Sequence, residues 1–238
     1  MKRFVVEEKV FEILPGYCLG VVAARGLDNA RPSEVIDRML EQSAAKFAED
    51  FRDVNVRELP FVAAYRSAFT TLGMNPNKFM CSIEALAKRV QKSGHLPHIN
   101  PVVDLGNAFS LRYRLPMGAH DMDKLASCGM AVRFSTEQDH FLGMGEEKSE
   151  TMPEGELVYV SDHTVKTRRW IWRQSEDGKI TEKTNHVFFP IDGFKDVNGE
   201  AAKEARDELA AFLRQEFSCE VWTGWMDREH PSFDFSWT

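Results

Sequence analysis

The spacing of apolar residues changes partway along this chain, from a helical repeat to an alternating one, and that change sets the class of fold. Ser33 precedes EVIDRMLEQSAAKFAEDF, in which Ile36, Leu40, Ala44, Phe47 and Phe51 recur at helical spacing, and Ser33 is a suitable N-cap. Phe61, Ala64, Tyr65, Ala68 and Leu72 make a second stripe, stopped by Gly73. Ser82 opens a shorter helix that ends at Gly94, with Glu84 in its first turn. Residues 101–115, PVVDLGNAFSLRYRL, begin with a proline suited to a first helical turn. After LPMGAHDMD the period becomes two: MAVRFS, HFLGM, ELVYVS, KTRRWIWRQ and HVFFPI each read as a strand. Residues 200–217 return to helical spacing, and VWTGW at 221–225 reads as a last strand. The opening segment, Phe4 to Ala24 around Pro15-Gly16, reads as a hairpin-like pair of strands. Helices first and strands later indicate an α+β fold with a largely antiparallel sheet and N-terminal and C-terminal helices. With no repeat and no low-complexity linker, a single domain over 1–238 is expected: strands and helices over 1–95, a core over 96–200, and a helix and strand over 201–238.

Composition narrows the function classes. The chain carries a formal charge of −7, which argues against non-specific coating of nucleic acid and against DNA as a partner. Acid concentrates in 146–156 and 196–208, and basic charge in Lys166 to Arg173. The four cysteines form no CxxC element, and the histidines form no HExxH or HxxxH pair, so neither a metal nor another cofactor is expected. Scattered cysteines suit reduced thiols in a cytoplasm. No apolar run approaches the roughly 20 residues of a membrane helix, and acids interrupt the start, MKRFVVEEKVFEIL, so no signal peptide and no membrane partner are expected. Oligomeric state does not follow from the sequence.

KTRRWIWRQ, residues 166–174, gathers arginine and indole within an acidic chain. As a strand it places Trp170 and Trp172 on one face with Arg168 and Gln174, and Arg169 and Arg173 on the other, roughly 7 Å apart. Two arginines at that spacing suit the ends of an anion. The tryptophans are either a core layer or a platform for a base. From pattern alone, the core layer with arginines on a solvated face is the simpler reading.

Four blocks in order resemble the B3/B4 domain, the editing domain of the phenylalanyl-tRNA synthetase beta subunit, and more closely its free-standing relatives. They are KFMCSIEALAKRV (78–90), LPHINPVVDLGNAFSLRYRLPMGAHDMDKL (96–125), ELVYVSDHTVKTRRWIWRQ (156–174) and TNHVFFPIDGF (184–194), roughly half the chain. Asn100, Asp104, Asn107, Pro116, Asp121 and Asp123 fall where that pattern has them. The resemblance implies a three-layer β/β/α sandwich. It also implies a pocket that accepts an aminoacylated tRNA end and hydrolyses its ester in trans, a cytoplasmic role in translation fidelity. A non-catalytic module binding a tRNA end, nucleotide or amino acid is the alternative, and a metabolic enzyme on a borrowed scaffold is a third.

The departures from the synthetase pattern bear on the site. Gly118 stands at its histidine position, His120 where an aromatic is usual, and Gly106 at its threonine position. The pocket glutamate falls near Pro190, so Asp192, two residues on, is expected to replace that carboxylate and to anchor the substrate ammonium or a water. Asp192, Asn107 and His120 are the catalytic candidates. Gly106, Gly118, Arg169, Trp170, Trp172, Arg173, Gln174 and His163 are the binding candidates. Asn107 has two equal roles, in the pocket or tying its helix to a loop. His120 and His163 each suit a general base or a structural hydrogen bond. Asp104, Asp121 and Asp123 read as loop and backbone ties. An activated ester held against water demands no Ser/His/Asp arrangement, and no GxSxG element or catalytic-cysteine context is present.

Overall fold

A computed structural model describes residues 2–235. One sheet contains β1 (Lys2–Val6), β4 (Gly129–Phe134), β5 (His140–Phe141), β6 (Glu150–Thr151), β7 (Leu157–Ser161), β8 (Thr164–Arg168), β9 (Arg173–Gln174) and β12 (Ser232–Phe235). Its order is β12-β1-β4-β7-β8-β5-β6, with β9 paired to β8. A second sheet, β11-β2-β10-β3, is formed by β2 (Tyr17–Arg25), β3 (His120–Asp121), β10 (His186–Phe194) and β11 (Glu220–Met226). Pairing is antiparallel except for β1 on β4 and β5 on β8. The helices are α1 (Glu8–Ile13), α2 (Glu34–Asp50), α3 (Pro60–Thr71), α4 (Ser82–Ser93), α5 (Pro101–Tyr113) and α6 (Lys195–Phe217).

Alternation along β10 sets the layers, because neighbouring side chains face opposite sides of a sheet. Phe188 enters the core between the two sheets with Phe4, Leu19 and Tyr159. Val187, Phe189 and Ile191 face the other way, into a second core with Leu105 and Phe109 of α5 and Leu209 and Leu213 of α6. The result is sheet on sheet on helix, the expected β/β/α sandwich. Leu40 and Phe47 of α2, Val62 and Tyr65 of α3, and Ile83 and Val90 of α4 join the inter-sheet core.

Local chemistry accounts for the helix limits. Ser33 accepts from Ile36 N at 3.3 Å, and Asn100 accepts from Val103 N at 3.1 Å, each satisfying an orphan first-turn donor. Glu84 does more than start α4. Fully buried, it pairs with Arg66 at 3.0 Å and Lys88 at 2.6 Å. No helix among the described residues is long and apolar enough to cross a membrane.

Four expectations are corrected. The opening hairpin is absent: β1 stops at Val6, and Val10, Phe11 and Leu14 keep helical spacing on and just beyond α1. β1 and β2 belong to different sheets. α6 starts at Lys195, five residues before the expected 200, across a non-helical Asn198. β12, unread in the sequence, pairs with β1 and closes the first sheet. Finally, KTRRWIWRQ is not one strand. β8 ends at Arg168, Arg169 and Trp170 take left-handed backbone at φ 49 and 58, and the chain turns before β9. Period-two alternation therefore fails over 166–174, and Trp170 swings, fully buried, into the inter-sheet core.

Candidate functional site

The inward face of β10 carries Pro190 and Asp192. The segment after α5 runs along it: Gly118 N donates to Pro190 O and Asp192 N to Pro116 O, both at 3.1 Å. The Asp192 residue is 1% exposed, and three donors converge on its Oδ1. These are Tyr17 OH from β2 at 2.7 Å, Tyr159 OH from β7 at 2.7 Å, and Trp170 Nε1 at 2.8 Å. No donor among the described residues reaches Oδ2. Asp192 lines a cavity of about 110 Å³ with Gly118, His120, Trp170, Trp172 and Gln174. An engineered cavity of ~150 Å³ holds benzene, so this one suits several waters or a small organic group, not a nucleoside.

Burial raises the Asp192 carboxyl to about 6, although all three hydrogen bonds favour its ionised form. Burial also lifts the Tyr17 and Tyr159 hydroxyls well above their ordinary value, so both remain donors. His120 stacks on the Tyr159 ring, centroids 5.8 Å apart. Burial, aided by nearby Lys166, lowers His120 to about 3. The ring is therefore neutral near pH 7, where a structural or hydrogen-bonding role suits it better than that of a general base. Gln174 Nε2 donates to Ala119 O at 2.6 Å and holds the 116–120 segment in place.

The remaining candidates lie elsewhere. Gly106 abuts Phe189, on the opposite face of β10 from Asp192. Asn107, half-buried on α5, does not line the cavity and makes no side-chain hydrogen bond among the described residues. His163 is 3.2 Å from Asp139 in an exposed turn between β7 and β8. Asp139 stays ionised down to about 2, because burial is outweighed by Arg133, Thr136 N and His163. Asp104 accepts from Ile99 N at 2.9 Å, and Asp121 from Asp123 N at 2.9 Å, as the loop-tie reading expects.

The arginines pair with acids. Arg168 pairs with Glu150 and Glu156, Arg169 with Glu156 at 3.2 Å, and Arg173 with Glu146 at 2.9 Å. The basic stretch thus neutralises the acidic stretch 146–156, and the expected clamp of Arg169 and Arg173 across one strand face is not formed. Arg169 also lies between the Phe79 and Trp172 rings, 4.0 and 4.8 Å from their centroids. Arg169→Ala is expected to cost about 1–2 kcal/mol of stability through that stacked, partly dry pair. Arg173→Ala, half-exposed at 38%, should cost less than about 0.5 kcal/mol. Urea titration of both variants checks the ordering.

Sequence reasoning missed Tyr17 and Tyr159. The available signal was a tyrosine inside an apolar strand, whose hydroxyl must find a partner when buried. It also missed that Asp37, His98 and Asp104, without any HxxxH spacing, bring ligand-type atoms within 4.8 Å of one another, away from the cavity.

No curated protein sequence matches. Among solved structures, an N-terminal fragment of the phenylalanyl-tRNA synthetase beta-subunit from Pyrococcus horikoshii is similar, with a TM-score of 0.51 and 12% identity. The match covers 94% of this chain and 53% of that one, so the chain spans about half the fragment's length. At that identity the likeness is one of fold. The model of the B3/4 domain matches residues 64–215, a segment that supplies every wall of the cavity and all of the Asp192 cluster but Tyr17. By that match, the chain belongs to the B3/4 domain family.

Proposed function

We propose that the chain is a trans-editing hydrolase that deacylates mischarged aminoacyl-tRNA by water attack on the aminoacyl ester. The observation that carries this reading is the Asp192 carboxyl: one oxygen accepts from three donors, the other accepts from none among the described residues, and the residue lines a cavity of about 110 Å³. In this reading the ionised Oδ2 accepts from the substrate α-ammonium. The acyl group enters the cavity, and the terminal adenosine, too large for it, stays at the mouth. Water adds to the carbonyl carbon, the ester C–O bond breaks, and the ribose hydroxyl leaves with a proton. Holding an activated ester in that geometry supplies much of the acceleration. Membership of the B3/4 family and the synthetase-type fold support tRNA as the partner.

The test is a deacylation screen over all amino acids charged on tRNA. Turnover of at least one charged tRNA, well above spontaneous hydrolysis, is the expected result. Because no activated nucleophile lines the cavity, a non-catalytic module for the same ligand is the second reading, and tight binding without turnover would establish it. Ammonium anchoring needs the carboxylate ionised. After division by the spontaneous rate, kcat/KM should fall about tenfold per pH unit below about 6. A flat profile from pH 7 to 5 would remove Asp192 from the reaction.

A further inference from the structure

His120 Nδ1 is the one buried side-chain nitrogen or oxygen among the described residues with no hydrogen-bond partner. An unmet buried polar atom costs about 1–3 kcal/mol, so the two ring nitrogens and their surroundings matter. They face different neighbours. A Cβ on Gly118, which lines the cavity, would lie 3.4 Å from Nε2. A Cβ on Gly178, away from the cavity, would lie 3.4 Å from Nδ1 and 3.5 Å from Lys166 Cδ. Nε2 is thus on the cavity side and Nδ1 on the Lys166 side.

Lys166 is itself unusual, a lysine only 2% exposed. Its Nζ donates to Lys124 O at 3.0 Å and Asp177 O at 3.4 Å. An ammonium has three N–H donors, and the third has no acceptor among the described residues. A spare donor and an unmet ring nitrogen therefore flank the same glycine.

We propose that Lys166 is a positioning residue that fixes the tautomer of His120: its ammonium favours a bare lone pair at Nδ1, reached through one ordered water, and so places the ring's single proton on Nε2, facing the cavity. An N–H at Nδ1 would instead turn its positive end toward the ammonium. The Nε2–H is then a fixed donor to the ester carbonyl oxygen, which becomes an oxyanion as water adds to the carbonyl carbon. A neutral imidazole suits this role better than an imidazolium, which would repel a substrate ammonium held at Asp192. The titratable groups around the ring are Tyr159 of β7, Lys166 of β8 and, across the cavity, Asp192 of β10. The donor role rests on the proposed deacylation; the tautomer does not.

The test is ¹H–¹⁵N correlation of histidine-labelled protein at pH 7, with the His120 resonances assigned by loss in His120→Gln. The expected spectrum shows a neutral ring with a protonated Nε2 and a bare Nδ1. In Lys166→Met, whose side chain has similar length, the ring should move to a mixture or to the Nδ1–H form. Against the charged tRNA found in the screen, kcat should drop about tenfold with KM little changed. A wild-type ring protonated at Nδ1, or an unchanged tautomer in Lys166→Met, overturns the inference. If that variant does not fold, the wild-type spectrum alone decides. An Nε2–H ring in a protein that deacylates nothing sustains the tautomer and overturns the deacylase reading; an Nδ1–H ring in an active enzyme does the reverse.

Discussion

Asp192→Asn should fold and lose activity, whereas Asp192→Ala should lose stability as well. The contrast follows from the split use of the carboxyl. Asparagine keeps an oxygen where Tyr17, Tyr159 and Trp170 donate, and replaces Oδ2 with an NH₂ group that repels an ammonium. Removing a buried charge from its partner costs several kcal/mol of binding, so kcat/KM should fall about 100-fold or more. Alanine instead strands three buried donors at about 1–3 kcal/mol each, a loss of ~3 kcal/mol or more in unfolding free energy. Urea unfolding of both variants beside deacylation assays separates the two effects. Equal stability of the alanine and asparagine variants would refute the three-donor account, and full activity in the asparagine variant would refute the anchor.

A pH signature accompanies this pair. Asp192 is raised from 3.8 to about 6, so the folded state holds that proton more tightly, and stability from this group is lost as pH rises through that interval. His120 is lowered from 6.5 to about 3, so its contribution is lost as pH falls through that interval. The two slopes oppose each other between pH 4 and 6. Asp192→Asn leaves only the histidine slope, and its melting temperature should fall more steeply with acid than that of the wild type.

The largest purely structural effect is expected at Gly129. Its φ is +94, backbone that side-chain-bearing residues avoid. A Cβ there would sit 1.9 Å from Arg3 O, on the neighbouring strand, where Arg3 and Gly129 are in register. Neither backbone can yield without parting β1 from β4. Gly129→Ala should therefore cost about 4 kcal/mol or more, among the severest single-substitution effects. Soluble yield and thermal unfolding report it, and a loss below about 1 kcal/mol would show that the parallel pairing gives way easily.

The helices were legible because their signals are local. Ser33, Pro101 and Gly94 mark ends through chemistry within a few residues, and the apolar stripes of α2 to α5 need no knowledge of distant chain. The layer order came from the family resemblance, which the fold likeness supports. What remained hidden depends on partners far away in sequence. Tyr17 meets Asp192 across 175 residues, and Trp170 meets it across 22. Alternation in KTRRWIWRQ is equally compatible with a strand and with a turn between two short ones, and only the inter-sheet core selects the turn. Gly106 was placed in the pocket by position in a motif, whereas the odd–even parity of β10 puts its neighbour Phe189 on the far side from Asp192. The arginines seemed to await an anion because the acids that neutralise them lie about 12 to 27 residues upstream, in a stretch that carried no pairing signal of its own.

Asp192 belongs to one sheet, yet it is gripped by Tyr17 from that sheet, by Tyr159 from the other, and by Trp170 from the turn that joins two of the other's strands. Whatever docks at its open oxygen is thereby fastened to both halves of the sandwich at once. An occupant should slow amide exchange in β2, β7 and β10 together, as a rivet stiffens two plates, so its arrival will register in strands that it never touches.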